Sequence, residues 1–332
     1  MAQARPPLGR NGSAMPVTMH GSAQALSQAR TAPVVYAGPP GDHATKKHGE
    51  CEDDCAEEEC LDPDQCGAES RPPKPENLVC GLDTRPLLPV GLAVSTVIGM
   101  MVVLLLQLPL LSRLFDLELT ALCFPAVVIY GVTLGCMTYC AFFDPGQLRK
   151  DQQGANPPKR AYKSWQYKRA VRRYDHYCRW LSNCIGLLNH REFFTMLTGL
   201  VTIGVLGVAI DLTLAVSMLI RGFWGVLLLI VLHLAYSVAL LALAGPIFKI
   251  HAGLVSRNEL ASEWKRNDFY VAKSAKRGEN VPVNDLSDDE FNSLFDAFVY
   301  DRRRNAFDRG CASNCFGFWF LPRWAPDQQG EF

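Results

Sequence analysis

Asp175, His176 and Cys178 fall within one short stretch, RRYDHYCRWLSNCIG, running from Arg172 to Gly186. A carboxylate, an imidazole and a thiol this close together suit two kinds of chemistry. They can hold a metal ion. Or they can run thiol chemistry, in which the imidazole takes the thiol proton and the carboxylate fixes the tautomer of the ring. On a helix, residues two apart point about 200° away from each other, so His176 would not face Cys178. In an extended segment, positions i and i+2 share a side. The spacing therefore predicts a non-helical loop. Arg172, Arg173 and Arg179 stand alongside and favour a thiolate electrostatically. For a closed zinc site the supply is poorer. Cys178 and Cys184 are not closely paired, His190 is the further candidate, and Lys150 to Tyr174 contains neither cysteine nor histidine.

The elements that must position this group are apolar and long. Four segments, 87–111, 119–143, 193–220 and 222–248, are each long enough to cross a bilayer, which takes about 20 apolar residues. This predicts an all-α membrane protein with four transmembrane helices and the reactive loop, 144–192, between the second and the third. The loop carries Arg149, Lys150, Lys159, Arg160, Lys163, Lys168, Arg169, Arg172, Arg173 and Arg179. By the positive-inside rule it is cytosolic, and an even number of spans puts both termini there as well. A thiolate held at the cytosolic mouth of a helical bundle suits a long-chain acyl donor. The chain enters the bundle, at roughly 0.8 kcal/mol per buried methylene, while its polar carrier stays in water. A substrate thiol can then remove the acyl group in a nearly isoenergetic thioester exchange that needs no ATP.

The remaining composition narrows the choice of partners. The formal net charge is +0, which gives no global attraction to nucleic acid. Residues 1–80 are rich in Pro, Gly, Ala and acids, lack periodicity, and read as a disordered tail. Within it, CEDDCAEEECLDPDQC spaces Cys51, Cys55, Cys60 and Cys66 more widely than the usual paired cysteines of a zinc site, so they read as part of the acidic tail, with a metal site or lipid acceptor as the alternative. No signal-peptide pattern opens the chain, so the soluble cysteines read as cytosolic and reduced. Asp211 and His233 lie inside spans at depths only roughly 5 Å apart, close enough for a hydrogen-bonded pair that either stabilises packing or lines a polar cavity. Residues 249–332 form a cytosolic C-terminal region. There, Ser287 is an expected N-cap for an amphipathic helix carrying Phe291, Leu294, Phe295 and Phe298.

DHYC, followed by RWLSNCIGLLNHREFF, resembles the DHHC family of protein S-acyltransferases (palmitoyltransferases). Trp180, Asn183, Cys184, Gly186, Asn189, His190 and Arg191 stand at that family's motif positions. Asp144-Pro145-Gly146 looks like its DPG motif. SRNE, Ser256 to Glu259, looks like a degraded Thr-Thr-x-Glu, and Asn305, Phe307, Asp308, Gly310 and Asn314 look like its C-terminal motif. The resemblance implies that Cys178 is the acylated nucleophile, His176 the general base and Asp175 its partner. It implies that palmitoyl-CoA is the co-substrate and cysteines of cytosolic or membrane-bound proteins are the acceptors. Structural roles follow for Asp144, Pro145, Gly146, Glu259 and Asn314, with Asn314 holding the C-terminal segment against the bundle. Lys163, Lys168, Arg169 and Arg173 are candidates for the CoA phosphates or are ordinary topogenic charge. An endomembrane location, Golgi or ER, goes with the family.

Two departures from the family pattern matter. The family's structural zinc ligands align with Lys150, Gln153, Lys163, Ser164, Tyr167, Ala170, Tyr177 and Cys184, of which only Cys184 keeps a ligating side chain. No metal or cofactor is therefore expected, and the candidates to hold the loop instead are packing by Tyr162, Trp165, Tyr167 and Tyr174 and arginines bound to lipid headgroups. Arg257 stands where a threonine should bond the catalytic carboxylate, so an Arg257–Asp175 ion pair is expected as its substitute. The main alternative to an active enzyme is a catalytically silent scaffold of the same descent; a four-span transporter subunit is a further one.

Overall fold

The structure is a computed structural model that describes residues 78–79, 82–83, 87–149, 158–274 and 278–323. The acidic tail with its four cysteines, and Lys150 and Gln153, lie outside them. Among the described residues, four helices are long and apolar enough to cross a membrane: α1 (Leu87–Phe115), α2 (Leu119–Phe142), α3 (His190–Arg221) and α4 (Trp224–Arg257). Their outward faces carry exposed apolar side chains such as Leu105, Phe124, Leu228 and Leu232. That pattern suits a bundle solvated by lipid, where apolar surface need not be hidden.

Several helix ends differ from the expected span limits: α1 runs on to Phe115 rather than 111, α2 ends at Phe142, α3 ends at Arg221 and α4 starts at Trp224, and two further shifts bear on the site. α3 begins at His190 rather than at position 193, because Asn189 closes the preceding turn and the helix takes in His190, Arg191 and Glu192. α4 runs on from position 248 to Arg257, because the polar residues after Phe248 continue the helix instead of ending it. Both extensions bring a histidine, His190 or His251, to the end of the bundle nearest the loop.

α3 and α4 pack closely because small residues face the seam. A methyl group added at Gly207 would lie 2.5 Å from Ser237 Oγ, so the two backbones approach as small residues permit. In α1 a π-helical turn, Val103–Gln107, rotates Gln107 inward. Its Nε2 donates to Asp211 Oδ1 at 2.6 Å, while His233 Nδ1 lies 2.8 Å from Asp211 Oδ2 and Ser237 Oγ donates to the same oxygen. Asp211 and His233 are thus a packed pair, with both carboxylate oxygens occupied. Further along α3, an apolar cavity of about 200 Å³ is lined by residues including Leu122, Ile129, Tyr130, Ile203 and Ile210.

Small strands and short helices complete the chain. Leu78–Val79 (β1) and Leu82–Asp83 (β2) form a hairpin. In the loop, His176–Cys178 (β3) pairs antiparallel with Asn183–Ile185 (β4). After α4 come a one-turn helix, α5 (Ala261–Arg266), and a sheet of Tyr270–Lys273 (β5), Asn280–Pro282 (β6) and Val299–Tyr300 (β7) with β5 central. The expected amphipathic helix is short. α6 spans Asp288–Leu294 with Ser287 at its N-cap position, and its Phe291 forms a ring cluster with Phe295 and Phe298, which follow the helix. The Ser287 hydroxyl donates to Glu290. The last helix, α7 (Cys311–Phe320), packs on α4 through Phe318, which joins Leu187, Phe194 and Val255 in one cluster.

Candidate active site

The site is built on the β3–β4 hairpin. Its register pairs His176 with Ile185, Tyr177 with Cys184 and Cys178 with Asn183. Extended backbone puts His176 and Cys178 on one face and Tyr177 on the other. The hairpin is tied down from several sides. Asp144 Oδ1 accepts from the N–H groups of Gly146 and Gln147, closing the turn after α2. The carbonyls of Pro145 and Gly146 then accept from Leu188 and Arg172. Asn183 Nδ2 donates to the carbonyls of Cys140 and Phe143 at the end of α2, and Asn189 bridges Cys184 and Gly186.

Gly186 is where these threads cross. A methyl added there would meet Val171 Cγ1 at 2.5 Å, Pro145 O at 2.8 Å and Arg172 O at 3.1 Å. Two of the three are backbone carbonyls engaged in hydrogen bonds, which cannot swing aside. Gly186→Ala is expected to destabilise the loop by about 1–3 kcal/mol, the usual scale of overpacking. Limited proteolysis between α2 and α3 measures this, and cleavage at the wild-type rate would overturn it.

Asp175 is fully buried and accepts at both oxygens. His176 Nδ1 lies 2.7 Å from Oδ2, and the N–H of Ala261 donates to Oδ1 at 2.8 Å. The second hydrogen-bond partner of His176 is the Cys178 thiol. Burial alone would raise the Asp175 carboxyl, but the imidazoles crowded round it, His190 and His176, hold it well below the usual carboxylate range. Burial would likewise lower the His176 imidazole, yet the hydrogen bonds to Asp175 and Cys178 push it up to about 10. The arrangement is a thiol, a ring that binds a proton strongly, and a carboxylate that fixes that ring. Cys178 is 7% exposed and belongs to the apolar cluster that runs through Cys140, Phe193 and Met196 down to Leu200 and Val103 in the bundle.

The carboxylate's second partner corrects the expected Arg257–Asp175 ion pair. Arg257 Nε instead bonds Glu259 Oε2 at 2.9 Å, and its guanidinium lies over the Tyr300 ring. The helix α5 starts with the Ala261 N–H free of intrahelical bonding, and that group serves Asp175. Ala261 is the first residue of α5 and follows Leu260, which is extended. Proline fits both conditions, so Ala261→Pro removes only the N–H. This variant is expected to lose about tenfold or more in whatever reaction Cys178 performs, consistent with the roughly 1–3 kcal/mol cost of an unmet buried acceptor. Reaction of Cys178 with an acyl donor, timed against wild type, measures it; an unchanged rate removes Ala261 from the site.

The other expected site residues separate. Glu259 is buried next to Arg257, and burial raises its carboxyl to about 7 despite that arginine. Asn314 Nδ2 donates to Ser256 O and Asp308 Oδ1, fastening α7 to the end of α4. Lys163 and Lys168 are exposed, and Arg169 is half-buried with Nη1 donating to Leu148 O. Arg173 departs from expectation. It is buried, burial lowers its guanidinium to about 9, and Nη2 donates to Asn258 Oδ1. It is an internal strut between the loop and the segment after α4, not a surface charge open to phosphate. Ala261, His190 and His251 complete the surroundings of Asp175. Of these only His190 stood out in the sequence; a backbone N–H has no side-chain signature, and His251 lies beyond the apolar stretch.

Among the described residues, those aligned with the resemblance's zinc ligands do not fit zinc. Cys184 donates its thiol to Ser164 Oγ at 3.2 Å and sits with Val171 and Tyr174 in an apolar cluster flanked by Tyr162, Tyr167 and Tyr177. Tyr177 packs edge-on against Trp165, and the Tyr167 hydroxyl donates to Asn183 Oδ1. One thiol among hydroxyls and rings is no tetrahedral site.

Comparison with known proteins adds two findings. Residues 147–268 match the family described as DHHC palmitoyltransferase. Over 46 residues, 14% of this chain, the sequence is 44% identical to Palmitoyltransferase akr1 of Schizosaccharomyces pombe (strain 972 / ATCC 24843), and that match spans 7% of the relative's own length.

Proposed function

We propose, from the match of residues 147–268 to the DHHC palmitoyltransferase family and from four helices long and apolar enough to cross a membrane, that Cys178 carries palmitate from palmitoyl-CoA to cysteines of other proteins. His176 takes the Cys178 proton as the sulfur attacks the thioester carbonyl, and returns it to the CoA thiolate that leaves. In the second half the same ring takes the proton of the acceptor thiol, whose sulfur attacks the acyl-enzyme, and restores Cys178 as a thiol. Asp175 keeps the Nδ1–H of His176 turned toward itself throughout. The observation that carries this reading is the double membership of Cys178. It is hydrogen-bonded to the His176–Asp175 pair and also packed into the apolar core of the spans.

Lys163 and Lys168, with Arg169 behind them, are the cations left for the CoA phosphates once Arg173 is assigned to the interior. The cavity along α3 has apolar walls suited to a fatty chain. The excess of Lys and Arg between α2 and α3 supports a cytosolic loop and, with an even number of spans, cytosolic termini; residence in the endomembrane system, Golgi or ER, rests on the family resemblance alone. One observation favours a silent scaffold instead: the zinc-ligand positions are lost. The hydrogen-bonded aromatic packing that occupies their place favours an active loop.

The test uses purified full-length protein and an alkyne-tagged palmitoyl-CoA, with metal analysis of the same sample. Hydroxylamine-labile label mapping to Cys178 supports the enzyme. Intact protein without label at Cys178 supports the scaffold.

A further inference from the structure

Asp175 has more imidazole around it than thiol chemistry uses. Besides His176, His190 Nε2 lies 3.8 Å from Asp175 Oδ1 and His251 Nδ1 lies 3.9 Å from Oδ2. The His190 and His251 side chains are only 4% and 7% exposed. Neither nitrogen of His190 has a hydrogen-bond partner, nor has His251 Nδ1. An unmet buried polar atom costs about 1–3 kcal/mol, so three of them, two facing one carboxylate, need a reason. These separations are too long for hydrogen bonds. They are near what two ligands of one small cation need, since Zn–N and Zn–O bonds of about 2.0–2.2 Å separate tetrahedral ligand atoms by roughly 3.4 Å.

We propose that Asp175, His176 Nδ1 and His251 Nδ1 form a binding site for a borderline divalent cation of the zinc class, with His190 beside it, and that occupancy switches Cys178 off. Donor atoms of these three residues lie within 4.8 Å of one another. Imidazole and carboxylate are the ligands such ions accept. The site is separate from the family's zinc positions and uses none of their residues. The mechanism of inhibition is geometric. Nδ1 of His176 now shares a proton with Asp175 Oδ2 across 2.7 Å. An ion needs the Nδ1 lone pair, so that proton leaves to solvent and the two groups move apart to coordinate. The ring is then held by the metal and no longer placed to serve Cys178. The buried Arg173 guanidinium nearby opposes a dication and keeps binding reversible.

The inhibition, though not the binding, rests on the acyl-transfer reading, so the two are measured separately. Full-length protein is used with Cys51, Cys55, Cys60 and Cys66 changed to serine, so that tail thiols do not compete. Titration with Co²⁺ is expected to give visible d–d absorption without a thiolate charge-transfer band, preserved in Cys178→Ser. His251→Gln is expected to weaken Co²⁺ binding by at least about tenfold, the scale on which metal sites respond to loss of even a supporting group. X-ray absorption of the zinc-loaded protein is expected to show a nitrogen and oxygen shell with imidazole scattering, a readout that does not depend on any variant folding. Zinc is expected to inhibit acylation, with the half-inhibiting concentration rising by a similar factor in His251→Gln relative to that variant's own metal-free rate. A sulfur-dominated shell, or Co²⁺ binding and zinc inhibition untouched by His251→Gln, overturns the site. Metal binding without inhibition of an active chain overturns the switch. A metal-free chain that never acylates defeats the enzymatic reading, and the spectra alone then decide the site.

Discussion

Replacing Cys178 with serine is expected to abolish acyl transfer, at least about a thousandfold, the scale on which loss of a covalent nucleophile is felt. Serine is close to cysteine in shape, so the β3–β4 hairpin and the cluster with Cys140 and Phe193 should survive. Chemistry makes the difference. A hydroxyl gives up its proton far less readily than a thiol, and His176 cannot make up the shortfall. The measurement is single-turnover labelling from a fatty acyl-CoA, followed by hydroxylamine. Equal and hydroxylamine-resistant labelling of wild type and variant would place the acyl group elsewhere and sink the acyl-enzyme mechanism.

The second large effect is expected from Asp175→Asn, at about 10²- to 10⁴-fold in rate, as when an orienting carboxylate is replaced by its amide in other nucleophile–base pairs. The carboxylate accepts from both sides, from His176 Nδ1 and from the Ala261 N–H. An amide has one accepting end. If its oxygen faces Ala261, its NH₂ faces His176 and forces Nδ1 to be the acceptor. The proton then sits on Nε2, and the ring can no longer take one from a thiol on that side. If the amide flips, its NH₂ meets the Ala261 N–H, donor against donor. A melting curve separates this loss from unfolding. A folded Asp175→Asn that acylates within threefold of wild type would show that His176 needs no orienting partner.

Much of the site could be read from residue spacing, and the parts that could not have physical reasons. The positions of His176 and Cys178 demand extended backbone, and they lie in a strand whose partner is Asn183–Ile185. Long apolar runs marked the four helices. Hydropathy, however, measures where a helix leaves lipid, not where it stops. α4 continues past Phe248 through Lys249 and His251 to Arg257, so His251 seemed to belong to a polar tail. Arg173 could not be told from its neighbours in a basic run, because its burial depends on Asn258, 85 positions away. Arg257 was the wrong partner for Asp175 for a related reason. Its near neighbour Glu259 takes the guanidinium, which frees Asp175 for a backbone donor that no side-chain pattern reveals.

The knot of Gln107, Asp211, His233 and Ser237 bears on how the bundle is assembled. A carboxylate in hydrocarbon costs roughly 2.5–3.5 kcal/mol even on the mildest scale, and a bare amide adds to it. α3 therefore gains little from entering the lipid before α4 and α1 arrive to clothe Asp211. Gln107 in α1 finds its partner only in a carboxylate 104 residues downstream. The polar groups of these helices are therefore satisfied only when α1, α3 and α4 have come together.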